Sequence, residues 1–218
     1  MTQNGLLWIV LVVLVLALAA LMVYAVRVRD SQNELGFTLW VQSFSPRGLQ
    51  HLMRFISFPG YPPQVLVLGF LLIVIPLLLG WEWIAFTQAF AGFGVGFAAT
   101  LIKYLVRRPR PSPDLVRVHH VLNRGGLSFP AGHSADYVAR LGFMVYLLAG
   151  IPTPDWWVGI VIAVLLGFIG LVGLSRVYSG EHWLTDVLAG YVLGGIWLIV
   201  TINVYNWTAA RALVESLF

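Results

Sequence analysis

The chain predicts an all-α fold: a bundle of six transmembrane helices, with an interfacial amphipathic helix between the first and second spans. Three observations carry this. Of 218 residues, 59 % are hydrophobic and only 10 % charged, and the mean hydropathy is +0.86, whereas a soluble domain is about half apolar. The apolar residues fall into six runs long enough to cross a hydrocarbon core. Pro, Gly, Trp and charged residues gather between the runs, as they do at membrane–water boundaries.

The first run covers 5–26. Ala17-Leu18-Ala19 resembles a signal-peptidase site, but residues 1–4 carry no Lys or Arg and the apolar run continues past the cut, so a retained helix is expected. Residues 27–61 form a long connection. Within it Leu49, Leu52, Met53, Phe55 and Ile56 recur at helical spacing, with Arg47, Gln50, His51 and Arg54 between them. That pattern reads as a short amphipathic helix in the headgroup region, or as a lid packed on the bundle. Pro62-Pro63 opens the second span, 62–79, and Gly80-Trp81-Glu82 turns the chain into the third, 83–106, where Gly92, Gly94 and Gly96 offer a small-residue face.

Residues 107–130 are the most polar stretch. The fourth span, 132–149, carries Asp136 and Arg140 four residues apart, a pair that compensates itself or faces a wet cavity. The fifth span covers 156–174 and the sixth 187–207. No internal repeat interrupts this, so residues 1–218 read as a single membrane domain. Gly92-x3-Gly96 and Gly190-x3-Gly194 suit close helix packing within or between chains, and nothing else in the sequence supports an oligomer.

No Cys is present, which excludes disulfides, thiolate metal sites and Cys nucleophiles. The net charge of +4 and pI near 9.7 do not call for nucleic acid as a partner. The cations stand in loops beside the spans, where lipid headgroups and anionic ligands meet them. His51, His119 and His120 are read as headgroup or water contacts, and no metal site is expected.

Six spans put both termini on one side of the membrane. By parity, 27–61, 107–130 and 175–186 then share one membrane face, and three polar groups meet there. Six residues separate Lys103 from Arg110-Pro111; an Arg fork and a Lys point charge suit a phosphate. Pro130-Ala131-Gly132-His133 opens the fourth span, where helix N-terminal N–H groups favour an anion. Ser175-Arg176 precedes His182 and Asp186, which fall one turn apart on a helix, so that a carboxylate stands beside an imidazole.

Lys-x6-Arg-Pro, then Pro-Ala-Gly-His, then Ser-Arg-x5-His-x3-Asp resembles the three-part signature of the type 2 phosphatidic acid phosphatase (PAP2) superfamily, in its integral-membrane lipid phosphatase branch. The resemblance implies a role for each position. His182 attacks phosphorus and becomes a phosphohistidine, and Asp186 orients it. Lys103, Arg110 and Arg176 hold the phosphoryl oxygens, with Gly132 offering its N–H and Ser175 a hydrogen bond. His133 protonates the leaving oxygen and then activates water.

The implied chemistry is two-step covalent hydrolysis without cofactor or metal. The implied substrates are lipid phosphates or diphosphates: polyprenyl diphosphate, phosphatidylglycerophosphate or phosphatidate. The short loops resemble prokaryotic members, which implies a prokaryotic plasma membrane. A lipid phosphotransferase on the same intermediate and a non-catalytic lipid-phosphate binder or transporter are the alternatives. One position departs from the signature: Ala131 stands where the family has Ser. A lost hydrogen bond to a charged group is worth about 1.5–3 kcal/mol, so the departure implies a weakened phosphate site unless Ser128, Ser134 or Ser179 compensates.

Overall fold

The structure is a computed structural model that describes residues 3–29, 31–44, 46, 48–118 and 126–215. Among these residues it is all-helical, with no strand. Helix α1 is Gln3–Arg27, α2 Gln32–Ser43, α3 Leu49–Ser57, α4 Gln64–Leu78 and α5 Glu82–Val106. Next come α6, Gly132–Asp136, and α7, Gly142–Ala149, which a π-helical turn, Tyr137–Leu141, joins into one continuous run. Helices α8, Trp156–Tyr178, and α9, Leu184–Glu215, complete the bundle.

Among the described residues four helical segments are individually long and apolar enough to cross a membrane: Gly5–Arg27, Glu82–Val106, Trp156–Tyr178 and Leu184–Thr208. A bent pair, Leu49–Gly60 and Gln64–Leu78, meets at 55° and forms a further candidate. The apolar run 62–79 folds as the 15-residue α4, and the run 132–149 as α6, the π turn and α7.

Helix α9 is the central post; α1, α5 and α6 all pack on it. Two of its glycines permit this approach. A Cβ on Gly190 would come within 2.5 Å of the Ala131 carbonyl, and one on Gly194 within 2.7 Å of the Ala135 carbonyl. The Gly190-x3-Gly194 face is therefore used inside the chain, against α6. Gly92 and Gly69 likewise face the Arg140 side chain. Arg140 Nε donates to Asp136 Oδ1 at 2.6 Å, so the intraspan pair does compensate itself. It also borders a cavity of about 190 Å³ lined by Val65, Leu68, Leu72, Leu165 and Phe168.

Helix α2 has no counterpart in the sequence reading, which treated 27–48 as connection. Its buried side chains include Glu34, Thr38 and Gln42, spaced by four, while Leu39, Trp40 and Phe44 are exposed. The helix turns a polar stripe inward and an apolar face outward. Ser31 caps its start by accepting from the Glu34 N–H. Gln42 accepts from the Arg117 N–H and donates to the carbonyls of Arg117 and Tyr178. Through these bonds α2 ties the loop after α5 to the end of α8.

Helix α3 buries Met53, Ile56 and Ser57 and leaves His51 and Arg54 exposed, together with Leu52 and Phe55 of the apolar set. His119 and His120 lie outside the described residues.

Candidate active site

Four chain breaks converge at one end of the bundle: the ends of α5 and α8, the start of α6 and the start of α9. Helix α5 stops because Arg107 adopts the left-handed conformation (φ 51°). That cap sends Arg107 outward, where it is exposed and its Nε donates to Tyr104 O in its own turn. Lys103, one turn earlier, points inward. Its Nζ donates to the carbonyls of Pro130 at 2.7 Å and Leu127 at 3.2 Å, gripping the strap that leads into α6.

The Arg176 side chain is fully buried on the last turn of α8. Its Nη2 donates to Tyr61 Oη at 2.8 Å and pairs with Glu181, and the guanidinium lies 4.8 Å from the Tyr61 ring centroid. Arg110 Nη1 donates to the Glu181 backbone carbonyl at 3.1 Å and stands 3.5 Å from its carboxylate. The His133 ring meets Tyr61 edge-on at 4.9 Å and lies against Gly60, where a Cβ would collide with it. Among the described residues, five buried nitrogen or oxygen atoms of these segments have no hydrogen-bond partner: Arg110 Nε, Arg176 Nε and Nη1, His133 Nε2 and Ser134 Oγ. Buried donors are almost always satisfied. The unspent guanidinium N–H groups of two arginines have the chemistry to receive an anion.

His182 is buried, with Nδ1 3.3 Å from Ser128 Oγ and 3.8 Å from Asp186 Oδ2. The second distance is too long for a direct bond. Ser128 spans it, because its hydroxyl also donates to Asp186 Oδ2. With that proton committed to the carboxylate, Ser128 Oγ accepts from His182 Nδ1–H. This network assigns the tautomer and leaves the lone pair on Nε2. Asp186 is held in turn by the Trp183 N–H at 2.9 Å and by Arg108 Nη1 at 2.9 Å. Burial, followed by the charges of Arg110, Lys103 and Arg176, keeps the His182 imidazole well below its ordinary value of 6.5.

A neutral His182 at physiological pH is the expected result. Its ¹⁵N imidazole shifts should remain those of a neutral ring at about pH 6, where an ordinary His is mostly charged. The sign for stability follows: below about 6.5 the unfolded imidazole binds a proton that the folded one refuses, so stability falls as pH drops through that value. A charged His182 at that pH, with His182→Ala as the assignment control, would contradict the tautomer network.

The sequence-predicted residues do not all meet at this cluster in the expected way. Lys103, Arg110, Arg176, His133, His182 and Asp186 are brought together. Gly132 opens α6 with open space where a Cβ would sit. The Ser175 hydroxyl is engaged elsewhere: it donates to Val172 O at 2.6 Å and meets Ser57 Oγ at 2.7 Å, joining α8 to α3. The Ala131 side chain is buried in an apolar cluster with Val41, Met53, Val177 and Val187, and its N–H donates to Asp186 O at 2.8 Å. Ser128 is committed to the His–Asp pair, so it does not replace the missing hydroxyl at 131.

Ala131 is also the N-cap of α6, with no side-chain cap bond. Ala131→Ser should therefore add a cap worth about 1 kcal/mol, read as a raised thermal unfolding midpoint. A gain in phosphate affinity of about tenfold or more, one hydrogen bond's worth, would instead place the new hydroxyl on the anion.

Arg108, Glu34, Tyr61 and Glu181 were missed as site residues. Arg108 and Glu34 stand behind Asp186, and Glu181 stands between Arg110 and Arg176. The available signal was charge economy: so few acids in an apolar chain, one of them adjacent to His182.

A PAP2 superfamily model matches residues 83–210. The chain is 36 % identical over 111 residues to phosphatidylglycerophosphatase B of Bacillus subtilis, covering 43 % of this chain and 44 % of that protein. It is 37 % identical over 114 residues to decaprenylphosphoryl-5-phosphoribose phosphatase of Mycobacterium tuberculosis, covering 52 % and 55 %. The chain thus spans about half the length of these curated relatives. Its fold matches the crystal structure of a transmembrane PAP2 type phosphatidylglycerolphosphate phosphatase from Bacillus subtilis with a TM-score of 0.72, 22 % identity and coverage of 88 % and 94 %.

Proposed function

The chain belongs to the PAP2 superfamily, and from that membership we propose that this integral membrane protein is a lipid phosphatase that hydrolyses a lipid phosphate or diphosphate through a phosphohistidine on His182. The observation that carries the reading is the set of buried side-chain nitrogens of Arg110, Arg176 and His133 without a hydrogen-bond partner among the described residues, gathered beside His182, whose Nδ1 lies 3.3 Å from Ser128 Oγ. In the first step His182 Nε2 attacks phosphorus and the bond to the leaving oxygen breaks. His133, entering as the imidazolium that the anionic phosphate group stabilises, gives that oxygen a proton and becomes neutral. In the second, His133 takes a proton from water, the water oxygen bonds to phosphorus, and the P–N bond breaks to release inorganic phosphate. Lys103, Arg110, Arg176 and the Gly132 N–H balance charge on the phosphoryl oxygens, which is most of the catalysis in phosphoryl transfer.

The same reading covers the architecture. Residues 1–218 form one membrane domain with six spans, α4 and the α6–α7 run being the two short ones. Helices α2 and α3 lie in the interface beside the site; the outward Leu39, Trp40, Leu52 and Phe55 suit that depth. A prokaryotic plasma membrane is the proposed location. The relatives' names support lipid phosphates carrying either glycerol or prenyl chains as the substrate class. The test is phosphate release from a panel of phosphatidate, phosphatidylglycerophosphate and prenyl mono- and diphosphates, with a chelator present. Release from at least one is expected, and release from none by folded protein would end the proposal.

A further inference from the structure

Glu181 precedes His182 and enters none of the steps above, yet its carboxylate touches three groups of the site. Oε1 accepts from Tyr61 Oη at 2.6 Å. Oε2 pairs with Arg176 and stands 3.5 Å from Arg110 Nη1. The turn that ends α8 aims it there. Gly180 is left-handed (φ +67°) and fits tightly under the Arg117 carbonyl, and the Glu181 N–H donates back to Arg176 O at 3.2 Å. Burial pushes the Tyr61 phenol up to about 12, so it remains a donor to this carboxylate at any working pH.

Two of the three cations expected to meet phosphate are thus already paired with an internal anion. The pairing is incomplete: Arg176 Nε and Nη1 and Arg110 Nε remain unspent. A carboxylate offers two oxygens to donors that a tetrahedral phosphate, with three free oxygens, would satisfy more fully.

We propose that Glu181 is the resident counter-anion of the phosphate seat and sets its affinity by competing with the incoming phosphate group for Arg110 and Arg176, with Tyr61 as the latch that holds it. This rests on the lipid phosphatase reading. Binding exchanges one set of ion pairs for another. Between turnovers the two arginines are therefore not left wholly uncompensated, and product phosphate is displaced by a group already tethered beside it. Tyr61 joins the exchange because it stands at the bend between α3 and α4, over both Arg176 and His133.

The test is direct binding of inorganic phosphate to detergent-solubilised full-length protein by calorimetry, alongside phosphate inhibition of lipid phosphate hydrolysis. Glu181→Gln removes the competing charge at close range and should tighten phosphate about tenfold. Tyr61→Phe removes the latch hydroxyl but leaves the carboxylate, and should tighten it about two- to threefold. It also supplies a reading should Glu181→Gln not fold. An unchanged or weakened phosphate affinity in the folded variants would overturn the proposal and make Glu181 a scaffold for the arginines. The wild-type hydrolysis arm separates the two ideas. Absence of phosphate release with any lipid refutes the enzyme reading, while a flat binding series with normal turnover refutes only the role of Glu181.

Discussion

His182→Ala should lower phosphate release by about four orders of magnitude or more, because on the proposed mechanism it removes the atom that forms the covalent intermediate and not merely a contact to the substrate. The surrounding cations survive the substitution. Lys103 stays on the carbonyls of Leu127 and Pro130, Arg176 on Tyr61 and Glu181, and Arg108 on Asp186. Binding of lipid phosphate should therefore persist, so the loss falls in kcat. Rapid quench of wild type with labelled substrate should trap label on the protein that resists alkali and is lost in acid, as a phosphoramidate is, and His182→Ala should trap none. Turnover within about tenfold of wild type, or label retained by the variant, would move the nucleophile elsewhere.

Much of this site was legible in the sequence because membrane residence makes polar residues expensive. In a chain with 10 % charged residues, each polar group between apolar runs stands out, and the parity expected of six spans puts on one face Lys103, Arg110, His133, Arg176 and His182, which the structure gathers at one end of the bundle. What was hidden is whatever depends on side-chain direction. Arg107 and Arg108 are adjacent and look alike in sequence, yet the left-handed cap at 107 sends one outward and the other into the core. Helix α2 was hidden because it is inverted, with Glu34, Thr38 and Gln42 inward and Trp40 outward, which defeats a search for an apolar buried face. The His182–Asp186 spacing promised a direct bond. The relay through Ser128 could not be read from spacing, because Ser128 arrives from another segment 54 residues away.

Arg108 carries the largest expected effect on stability. Its side chain is fully buried and spends its donors on Glu34, Asp186, Thr185 Oγ1 and the Val28 carbonyl, with its guanidinium 5.4 Å from the Trp183 ring centroid. It is the sole cation paired with both carboxylates among the described residues, and Glu34 also accepts from the Thr185 N–H and hydroxyl at the start of α9. Arg108→Met keeps most of the volume but leaves two buried anions facing each other. Breaking a buried pair in this way costs about 3–5 kcal/mol, or about 10 °C in the unfolding midpoint for a chain of this size. Arg108→Lys should recover part of that, because charge returns but the planar fork that spans Glu34 and Asp186 does not. The mechanism predicts the sign of a double variant: Glu34→Gln on the Arg108→Met background removes one stranded charge and should raise the midpoint, although each substitution alone lowers it. If the two losses simply add, the pair is not coupled and Asp186 owes its position to Ser128 and Trp183 alone. If they couple, activity in the single variants should fall with the same order as stability, since the carboxylate that orients His182 is the one Arg108 holds.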